Sequence, residues 1–389
     1  MTSVLIVGGA ATGWATAHHL LCLAPQLDVT VIETDPALKR SSTMLSDGNV
    51  RIQFNREENI AMSIYAMECL DSFAEDMATD GYSPDPRPRK QGNLFLVDHE
   101  GEADAMAGLA VQQRLGCDSH WLDMEAIAAR WPALSSDRLT GGTFGPSDGT
   151  VDISAVVDGY RRKARRAGAK LVVATVKELT LEGDRVSGVR LTDGTSMGAD
   201  AVVVCAGAWS KDLLATAGVD IPVDPVMRTV YVVAGDVEGS DSLPLAFLPS
   251  GVYVITEHDK RFLIAWSTDE DPVGFDFTPA SRSKFYDVIW PELVTELPAF
   301  RRLEVVRSWA GLYAQNRLDA NAIIGEWPGI GGLLLATGFS GHGFQQCHAV
   351  GRHLAELVCS RPTSLDLSPL GPERILTGKP YLEHAGRII

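Results

Sequence analysis

A glycine-rich turn between an apolar strand and a helix constrains the fold of this chain more than any other feature. The residues SVLIVGGAATG run from Ser3 to Gly13, and their apolar part shows no alternation, which is typical of a strand buried on both faces of a parallel sheet. A helical pattern follows over Trp14 to Leu23, and a second strand is predicted over Asp28 to Ile32. This order predicts a βαβ unit in a Rossmann-like domain.

The turn also predicts a dinucleotide site. Such a turn lets the backbone approach a pyrophosphate at a helix N-terminus, and an acidic residue after the second strand binds a ribose. Gly8 and Gly13 occupy the outer glycine positions of the GxGxxG pattern, Ala10 replaces the middle glycine, and Glu33 follows the second strand. A carboxylate there favours FAD or NAD over NADP. The alternative is a glycine turn with a structural role alone.

Composition narrows the class of protein. The 389 residues are 45% hydrophobic and 22% charged, which is typical of a globular chain of two or three domains. With 34 basic and 50 acidic residues the net charge is -16, which argues against nucleic acid as a partner. The sequence has no apolar run of membrane-spanning length and no signal-peptide pattern at its start, so we expect no membrane span and a cytoplasmic location.

The cysteines give no indication of a metal site or a disulfide framework. All six are dispersed, and no CxxC pair occurs. Cys347 and His348 are adjacent, so their side chains point to different sides of a helix or strand. We therefore expect reduced thiols and no bound metal.

The middle of the chain departs from a regular βα repeat. A hairpin is predicted from Val252 to Thr256 and Phe262 to Trp266, a strand over Gln91 to Val97, and a buried strand over Ala201 to Cys205. Antiparallel hairpins thus separate buried strands of the parallel type. This distribution predicts two domains that are threaded through each other.

A second glycine-rich turn stands near the end of the chain. A buried strand beginning at Leu333 runs into GFSGHG, Gly338 to Gly343, and an apolar helical pattern follows. Three glycines in six residues allow backbone amides to approach a flat or anionic ligand, and a helix N-terminus stabilises negative charge.

Four segments together resemble the D-amino acid oxidase and sarcosine oxidase superfamily of flavoproteins. They are VGGAATG, VVVCAGAWS (202–210), WAGLY (309–313) and GFSGHGF (338–344). The likeness covers essentially the whole chain and is greatest to the branch of sarcosine-type oxidases, D-arginine-type dehydrogenases and FOXRED-like oxidoreductases. It implies a mixed α/β fold, with a discontinuous Rossmann-like FAD-binding domain (1–85, 145–215 and 320–389) interleaved with an antiparallel-sheet substrate domain (86–144 and 216–319).

The resemblance implies extended FAD with its flavin ring at the domain interface. The residues that it assigns to FAD are Gly8, Gly9, Ala10, Ala11, Gly13, Glu33, Ser42, Thr43, Val176, Ala206, Gly207, Trp209, Gly311, Gly338, Phe339, Ser340, Gly341, His342, Gly343, Phe344 and Gln345. Relatives with covalently bound flavin carry a cysteine where this chain has Gly311, or a histidine in the segment matching 41–48, which has none here. We therefore expect noncovalent FAD.

The substrate pocket departs from the pattern of the resemblance. Gln345 replaces the lysine of monomeric sarcosine oxidases, and Tyr313 replaces an arginine of D-amino acid dehydrogenases. The resemblance leaves His342, Arg51 and Tyr313 as catalytic candidates. The substrate-binding candidates are Arg228, Tyr253, Asn49, Gln53 and Gln345.

Three of the pocket assignments have structural alternatives. Arg228 suits a substrate carboxylate because a guanidinium can bind it through two hydrogen bonds, but a structural ion pair is equally expected. His342 either faces the flavin or braces the glycine turn. Trp266 is a further pocket candidate, but aromatic residues that alternate on strands usually belong to the core, where it is expected.

The activity implied is oxidation of the CH–NH bond of an amino acid or N-substituted amine, by hydride transfer to flavin N5, to an imine that hydrolyses to a carbonyl product. Oxygen or another acceptor would reoxidise the flavin, and the absence of lysine from Phe262 to Ala265 favours a dehydrogenase or a slow oxidase. The alternatives are a 2-hydroxy acid oxidoreductase, a noncatalytic flavoprotein assembly factor and a simple NAD dehydrogenase. Substrate identity, stereochemistry, electron acceptor and oligomeric state stay open, with a homo-oligomer among the outcomes.

Overall fold

The computed structural model describes residues 2–383, which form nineteen strands and ten α-helices together with short 3-10 and π turns. The strands are β1 Ser3–Val7, β2 Asp28–Glu33, β3 Asn49–Val50, β4 Asn93–Val97, β5 His120–Asp123, β6 Gly141–Gly145, β7 Gly149–Thr150, β8 Lys170–Val173, β9 Val176–Glu182, β10 Arg185–Leu191, β11 Ser196–Gly198, β12 Ala201–Val204, β13 Val223–Gly235, β14 Leu245–Phe247, β15 Val252–Thr256, β16 Arg261–Trp266, β17 Leu303–Asn316, β18 Ile323–Glu326 and β19 Leu333–Thr337. The helices are α1 Ala11–Leu23, α2 Glu57–Asp76, α3 Glu102–Arg114, α4 Met124–Arg130, α5 Ile153–Arg166, α6 Ser210–Ala215, α7 Arg282–Lys284, α8 Trp290–Glu296, α9 Gly343–Val358 and α10 Glu373–Thr377.

A six-stranded sheet in the order β18-β19-β12-β1-β2-β8 forms the first half of the fold. Its neighbours are parallel except for the β18–β19 pair. The prediction of a βαβ unit built on a fully buried parallel strand is confirmed. The first helix begins at Ala11, three residues before the predicted start, because the end of the glycine turn is already helical.

Both faces of this sheet are covered, which is why its strands are apolar without alternation. On one face, Ile6 of β1 belongs to a core with Trp14 of α1, Tyr160 of α5 and Val350 of α9. On the other face, the apolar residues of β1 pack against the three-stranded sheet β11-β10-β9. The sheet is therefore the middle of three layers.

An eight-stranded sheet in the order β17-β13-β16-β15-β14-β4-β6-β5 forms the second half. Its neighbours are antiparallel except for the parallel pair β14 and β4. The predicted hairpin is present as β15 and β16, with Val252 paired to Trp266. The long strands β13 and β17 pair from Val223–Asn316 to Gly235–Leu303, and Val223 also packs in the core of the first sheet.

The chain alternates between the two sheets. It passes from β1 and β2 to β4, β5 and β6, returns through β8 and β12, crosses again for β13 to β17, and ends in β18 and β19. The mixed α/β class is thus confirmed, whereas the domain boundaries given above stay a prediction. Since both sheets are assembled from distant segments, a site between them draws residues from the whole chain.

Three further observations apply to the described part of the chain. Its six cysteines are free thiols. Across residues 2–383, no group of three or more His, Cys, Asp or Glu side chains could hold a metal ion. In the same range, every helix is too short or too polar to cross a lipid bilayer.

Candidate active site

A cavity of about 630 Å³ lies between the two sheets. Its wall includes Gly8 after β1, Cys205 after β12 and Phe339 after β19, at the carboxyl ends of parallel strands where ligands of α/β sheets bind. Tyr253 and Tyr313 of the eight-stranded sheet line it as well. Its volume is within the range of about 300–1,000 Å³ that is usual for small-molecule and cofactor sites.

The start of helix α1, at the first glycine turn, presents uncapped backbone amides to this cavity. Gly8 has a φ of +106°, and a Cβ there would lie 2.3 Å from the Cys205 carbonyl oxygen, so only glycine fits. Helix α1 has no side-chain cap at Ala10 and no acidic residue in its first turn. Its first amides and the positive end of its dipole are therefore available to an anion such as a pyrophosphate.

The Glu33 carboxylate is fixed beside that turn by two main-chain donors. The Gly9 N–H donates to Oε2 and the Asp35 N–H donates to Oε1, each at 2.8 Å. Glu33 also lines the cavity. Because each carboxylate oxygen can accept a second hydrogen bond, the group is oriented to receive hydroxyl donors from a ribose.

The second glycine turn is held against the end of β17. The Ser340 N–H donates to the Ala314 carbonyl, and the Asn316 N–H donates to Ser340 Oγ, both at 3.0 Å. A Cβ at Gly341, where φ is +106°, would lie 2.7 Å from the Tyr313 ring. The turn thus packs directly on Tyr313, and helix α9 starts at Gly343 without a side-chain cap at His342.

Buried polar atoms without partners point to a ligand in this cavity. Among residues 2–383, neither ring nitrogen of His342 has a hydrogen-bond partner, and the same holds for Gln345 Nε2. Only 6% of His342 and 4% of Gln345 is exposed, and both residues line the cavity. Since buried polar groups are normally satisfied, these atoms fit a bound group that supplies donors and acceptors, as a flavin does.

Burial also fixes the charge of His342. Loss of solvation and the neighbouring Arg51 charge lower the pKa of His342 to about 3. The imidazole is therefore neutral at physiological pH. Its ring centre lies 5.6 Å from that of Phe54, with the two planes tilted by 58°. Neither ring nitrogen bonds to the glycine turn, which the alternative interpretation expected His342 to brace.

Arg51 is buried and also lines the cavity. Its guanidinium lies 4.0 Å from the centre of the Phe54 ring and donates from Nη1 to the Gln53 carbonyl at 2.7 Å. Burial lowers its pKa to about 10, which leaves it a cation. Gln53 is off the cavity wall, because its amide Nε2 donates to the Asn93 carbonyl and to Asp148, each at 2.9 Å.

Arg228 combines the two roles that the sequence left open. It forms an ion pair with Asp271 and donates to the Thr268 carbonyl at 2.8 Å, so the structural pair is present. Its guanidinium also lies 5.3 Å from the centre of the Tyr313 ring and lines the cavity. Asp271 is shared with Lys284, at 2.7 Å.

Asp47 is the main residue that sequence reasoning missed. It lines the cavity, and its Oδ1 accepts the Asn49 N–H at 3.0 Å while the Tyr253 hydroxyl hydrogen-bonds to the same carboxylate. Burial raises the pKa of Asp47. Its sequence context, LSDGNV, resembles an ordinary turn, so nothing in it indicated a pocket residue. Trp266, expected in the core, lines the cavity too.

Most of the predicted site residues line this one cavity. The predicted residues that line the cavity are Gly8, Ala10, Glu33, Ser42, Thr43, Asn49, Arg51, Val176, Ala206, Gly207, Trp209, Arg228, Tyr253, Gly311, Tyr313, Phe339, Ser340, Gly341, His342, Gly343, Phe344 and Gln345. Those that do not line it are Gly9, Ala11, Gly13, Gln53 and Gly338. The last group supports the wall from behind: a Cβ at Gly13, for example, would lie 1.9 Å from the Gly8 carbonyl oxygen.

Comparisons with known proteins agree with this geometry. The model of the FAD dependent oxidoreductase family, DAO, matches residues 3–357. The FAD-dependent oxidoreductase domain-containing protein 1 of Xenopus laevis is 30% identical, over 98% of this chain and 84% of the relative. A D-amino acid dehydrogenase of Cereibacter sphaeroides is 28% identical over 92% of this chain and 79% of its own length. The crystal structure of L-proline dehydrogenase from P. horikoshii superimposes with a TM-score of 0.85 at 26% identity, over 98% of this chain and 99% of that one.

Proposed function

This chain belongs to the DAO family of FAD-dependent oxidoreductases acting on amino acids or amines, and from that premise we propose that it oxidises the CH–NH bond of an α-amino acid or an N-substituted amino acid. The imine formed would hydrolyse to a carbonyl compound. One observation carries this proposal: a single cavity joins an anion-accepting helix start and Glu33 to a cluster of two arginines and two tyrosines.

The first end of the cavity suits the cofactor. The amides at the start of α1 would hold the pyrophosphate, Glu33 would hold a ribose, and the 338–345 turn would border the flavin ring. The unpartnered nitrogens of His342 and Gln345 would then acquire partners. FAD, when bound, supplies a two-electron acceptor that takes the hydride. Gly311 and the absence of histidine in 41–48 support a noncovalent cofactor.

The second end of the cavity suits a carboxylate beside an amine. Arg51 and Arg228 keep a positive charge there, and a guanidinium can bind a carboxylate through two hydrogen bonds. Tyr253 and Tyr313 complete this end, and burial raises the pKa of Tyr313 to about 12, so its hydroxyl stays protonated and can donate. The names of an L-proline dehydrogenase and a D-amino acid dehydrogenase among the matched proteins support an amino acid as substrate.

We propose that oxygen reoxidises the flavin slowly or not at all. The strand β16 lacks the lysine that oxygen-using sarcosine oxidases place near the flavin, and its cavity-lining residues are Ala265 and Trp266. The absence of lysine from β16 supports a dehydrogenase, or an oxidase that reacts slowly with oxygen.

Anaerobic bleaching of the flavin absorbance tests this function. The purified protein, reconstituted with FAD, would be mixed with glycine, N-methyl amino acids, D- and L-amino acids, proline and 2-hydroxy acids. We expect bleaching by at least one amine with an α-carboxylate and none by hydroxy acids. Bleaching by hydroxy acids alone would support the alternative oxidation of a C–OH bond, and bleaching by none would support a noncatalytic flavoprotein.

A matched pair of variants extends the test to the pocket. Arg228→Met should raise the substrate concentration that half-saturates bleaching by about tenfold or more, because a charged hydrogen bond is lost. Arg138→Met makes the same change at an exposed position and should leave it unaltered. Equal behaviour of the two variants would contradict the assignment of this end to a carboxylate.

A further inference from the structure

A carboxylate stands at the end of the cavity that holds the arginines and tyrosines. Asp47 follows the segment that carries Ser42 and Thr43, and it lines the cavity together with Tyr253 and Tyr313. The Tyr253 hydroxyl hydrogen-bonds to it, and its charge affects the pKa of Tyr313. A negative group in this position is not explained by binding a substrate carboxylate, which it would repel.

Asp47 is also not needed to neutralise Arg51. The positive charge of Arg51 is influenced more by Asp148 and Glu383 than by Asp47. In turn, Arg51 affects the Asp47 pKa less than the hydrogen bonds from Asn49 and Tyr253 do. Charge pairing with Arg51 therefore does not explain why a carboxylate is present at position 47.

Amine oxidation requires a proton acceptor close to the substrate nitrogen. An amine reaches the enzyme mostly as its ammonium ion, since alkylammonium groups lose a proton only near pH 10. Hydride can leave the α-carbon only when the nitrogen has a free lone pair, so the ammonium must first give up a proton. A site that binds the ammonium form needs an acceptor for that proton within hydrogen-bond reach.

We infer that Asp47 is the proton acceptor for the substrate nitrogen: the ionised carboxylate binds the ammonium ion and takes one N–H proton, which leaves a neutral amine and a protonated Asp47. The inference deepens the proposed function and rests on it. One N–H bond breaks and one O–H bond forms, so charge and atoms balance without a further reactant. Burial raises the pKa of Asp47, which makes it a better base than an exposed aspartate.

The groups that face Asp47 determine how readily its carboxylate takes the proton from the substrate nitrogen. Tyr253 donates to the carboxylate, and Tyr313 lies nearby. The charges of Arg51 and Arg228 act on Tyr313, and that of Arg228 acts on Tyr253. The arginines would hold the carboxylate of an α-amino acid, and Asp47 would hold its nitrogen. The pocket thus selects a zwitterion, with two cationic groups for the substrate carboxylate and one anionic group for its ammonium.

The test is the pH dependence of the flavin bleaching rate at a concentration of the most reactive amine of the panel far below half-saturation, where the rate reports on free enzyme and free substrate. In Asp47→Asn, which is expected to bind only the neutral amine, this rate at pH 7 should fall about 100-fold to 1,000-fold and then rise about tenfold per pH unit toward pH 10, where solution supplies the neutral amine. If Asp47 had only a structural role, Asp47→Asn would lower the rate by the same factor at every pH. Asp137→Asn, the same change at an exposed position that does not line the cavity, should keep the wild-type profile.

A second variant covers the case in which Asp47→Asn does not retain FAD. Tyr253→Phe removes a hydrogen bond that lowers the pKa of Asp47, so that pKa rises. The acidic limb of the rate profile should then shift to higher pH by about one unit. An unshifted limb would overturn the inference.

Proton counting gives a readout that does not depend on turnover. The probe is 2-aminoisobutyrate, an amino acid without an α-hydrogen, titrated calorimetrically into the FAD-loaded protein in two buffers of different ionisation enthalpy. Binding to the wild type at pH 8 should release no proton to the buffer, whereas Asp47→Asn should release about one. Trimethylacetate, which lacks the nitrogen, should exchange no proton with either protein.

The outcomes distinguish a failure of the proposed amine oxidation from a failure of the role assigned to Asp47. If no amine bleaches the flavin, the proposed function fails. If amines bleach it while wild type and Asp47→Asn share one pH profile, or release the same number of protons to the buffer, the assignment of Asp47 alone is overturned.

Discussion

The side chain of Gln345 bonds to the main chain of Arg51 across the cavity wall: the Arg51 N–H donates to Gln345 Oε1 at 2.8 Å. The two residues are 294 positions apart. Through this bond, the start of α9 is tied to the segment that leaves β3. The Nε2 atom of the same side chain has no partner among residues 2–383. One glutamine thus fixes the backbone of Arg51 and keeps a donor at the cavity.

Replacing this glutamine with an apolar residue should destabilise the fold. Gln345→Leu leaves the buried Arg51 N–H without its acceptor, and we expect the free energy of unfolding to fall by about 1–3 kcal/mol. Urea unfolding of the FAD-free protein measures it. Gln26→Leu, at an exposed position, should change that free energy by less than about 0.5 kcal/mol. A loss for Gln345→Leu as small as the control's would mean that the backbone finds another acceptor.

Glu33→Gln should weaken the binding of FAD. An amide has one oxygen, so it cannot accept from both Gly9 and Asp35, and its NH₂ group would face one of these donors. We expect the Kd for FAD to increase about tenfold to hundredfold, measured by quenching of flavin fluorescence. Glu182→Gln, on an exposed part of β9, is the control. Unchanged affinity in Glu33→Gln would contradict the proposal that this carboxylate holds the ribose.

Asp271→Asn should affect substrate binding more than turnover. The buried carboxylate pairs with Arg228, and its loss lets that guanidinium leave the cavity wall. We expect KM for an amino acid substrate to increase about tenfold and kcat to change less, since the interaction is made equally in the ground state and the transition state. Lys284→Met removes the second partner of Asp271 but leaves Arg228 paired, so its KM should stay within about twofold. A fall in kcat alone would contradict this role.

The buried His348 should make stability depend on pH. Burial lowers its pKa from 6.5 to about 3, so between these values the unfolded chain binds a proton that the folded chain does not. Its contribution is therefore complete above pH 6.5 and is lost as the pH falls toward 3. From pH 7.5 to 5.5, the loss from one such histidine is about 1 kcal/mol.

His348→Gln isolates this contribution. The variant loses the 2.7 Å hydrogen bond between His348 and Tyr160 and should be less stable at pH 7.5. However, the decrease in its unfolding free energy between pH 7.5 and 5.5 should be smaller than that of the wild type by about 1 kcal/mol. His258→Gln, at an exposed position, should keep the wild-type slope. An unchanged slope in His348→Gln would show that the histidine is not neutral in the fold.

Local patterns predicted the elements of the fold that depend on neighbours in sequence. The unbroken apolar run of β1 and the polar turn between β15 and β16 each carry their own signal, and both elements appear where they were expected. The start of α1 was placed three residues late, because Ala11 and Gly13 were counted with the turn. Helix boundaries depend on the dihedral angles of single residues, which an apolar pattern does not report.

Pairings between distant segments could not be predicted in the same way. The sequence gives no sign that Asp271 would hold Arg228, or that Asp148 would turn the Gln53 amide away from the cavity. Asp47 was missed for the same reason, since it lies in a loop before β3 and its partner Tyr253 belongs to β15 of the eight-stranded sheet. The resemblance to flavoproteins predicted most residues that line the cavity, but it did not predict the polar contacts behind them.

The order of strands in the first sheet has a consequence for biosynthesis. β1 lies between β2 and β12, and β19, which pairs with β12, is synthesised after every strand of the eight-stranded sheet. The Gly8 turn is therefore made at the start of synthesis, whereas the 338–345 segment, which lines the same cavity, is made near its end. A cavity that encloses the flavin can form only when nearly the whole chain has been synthesised.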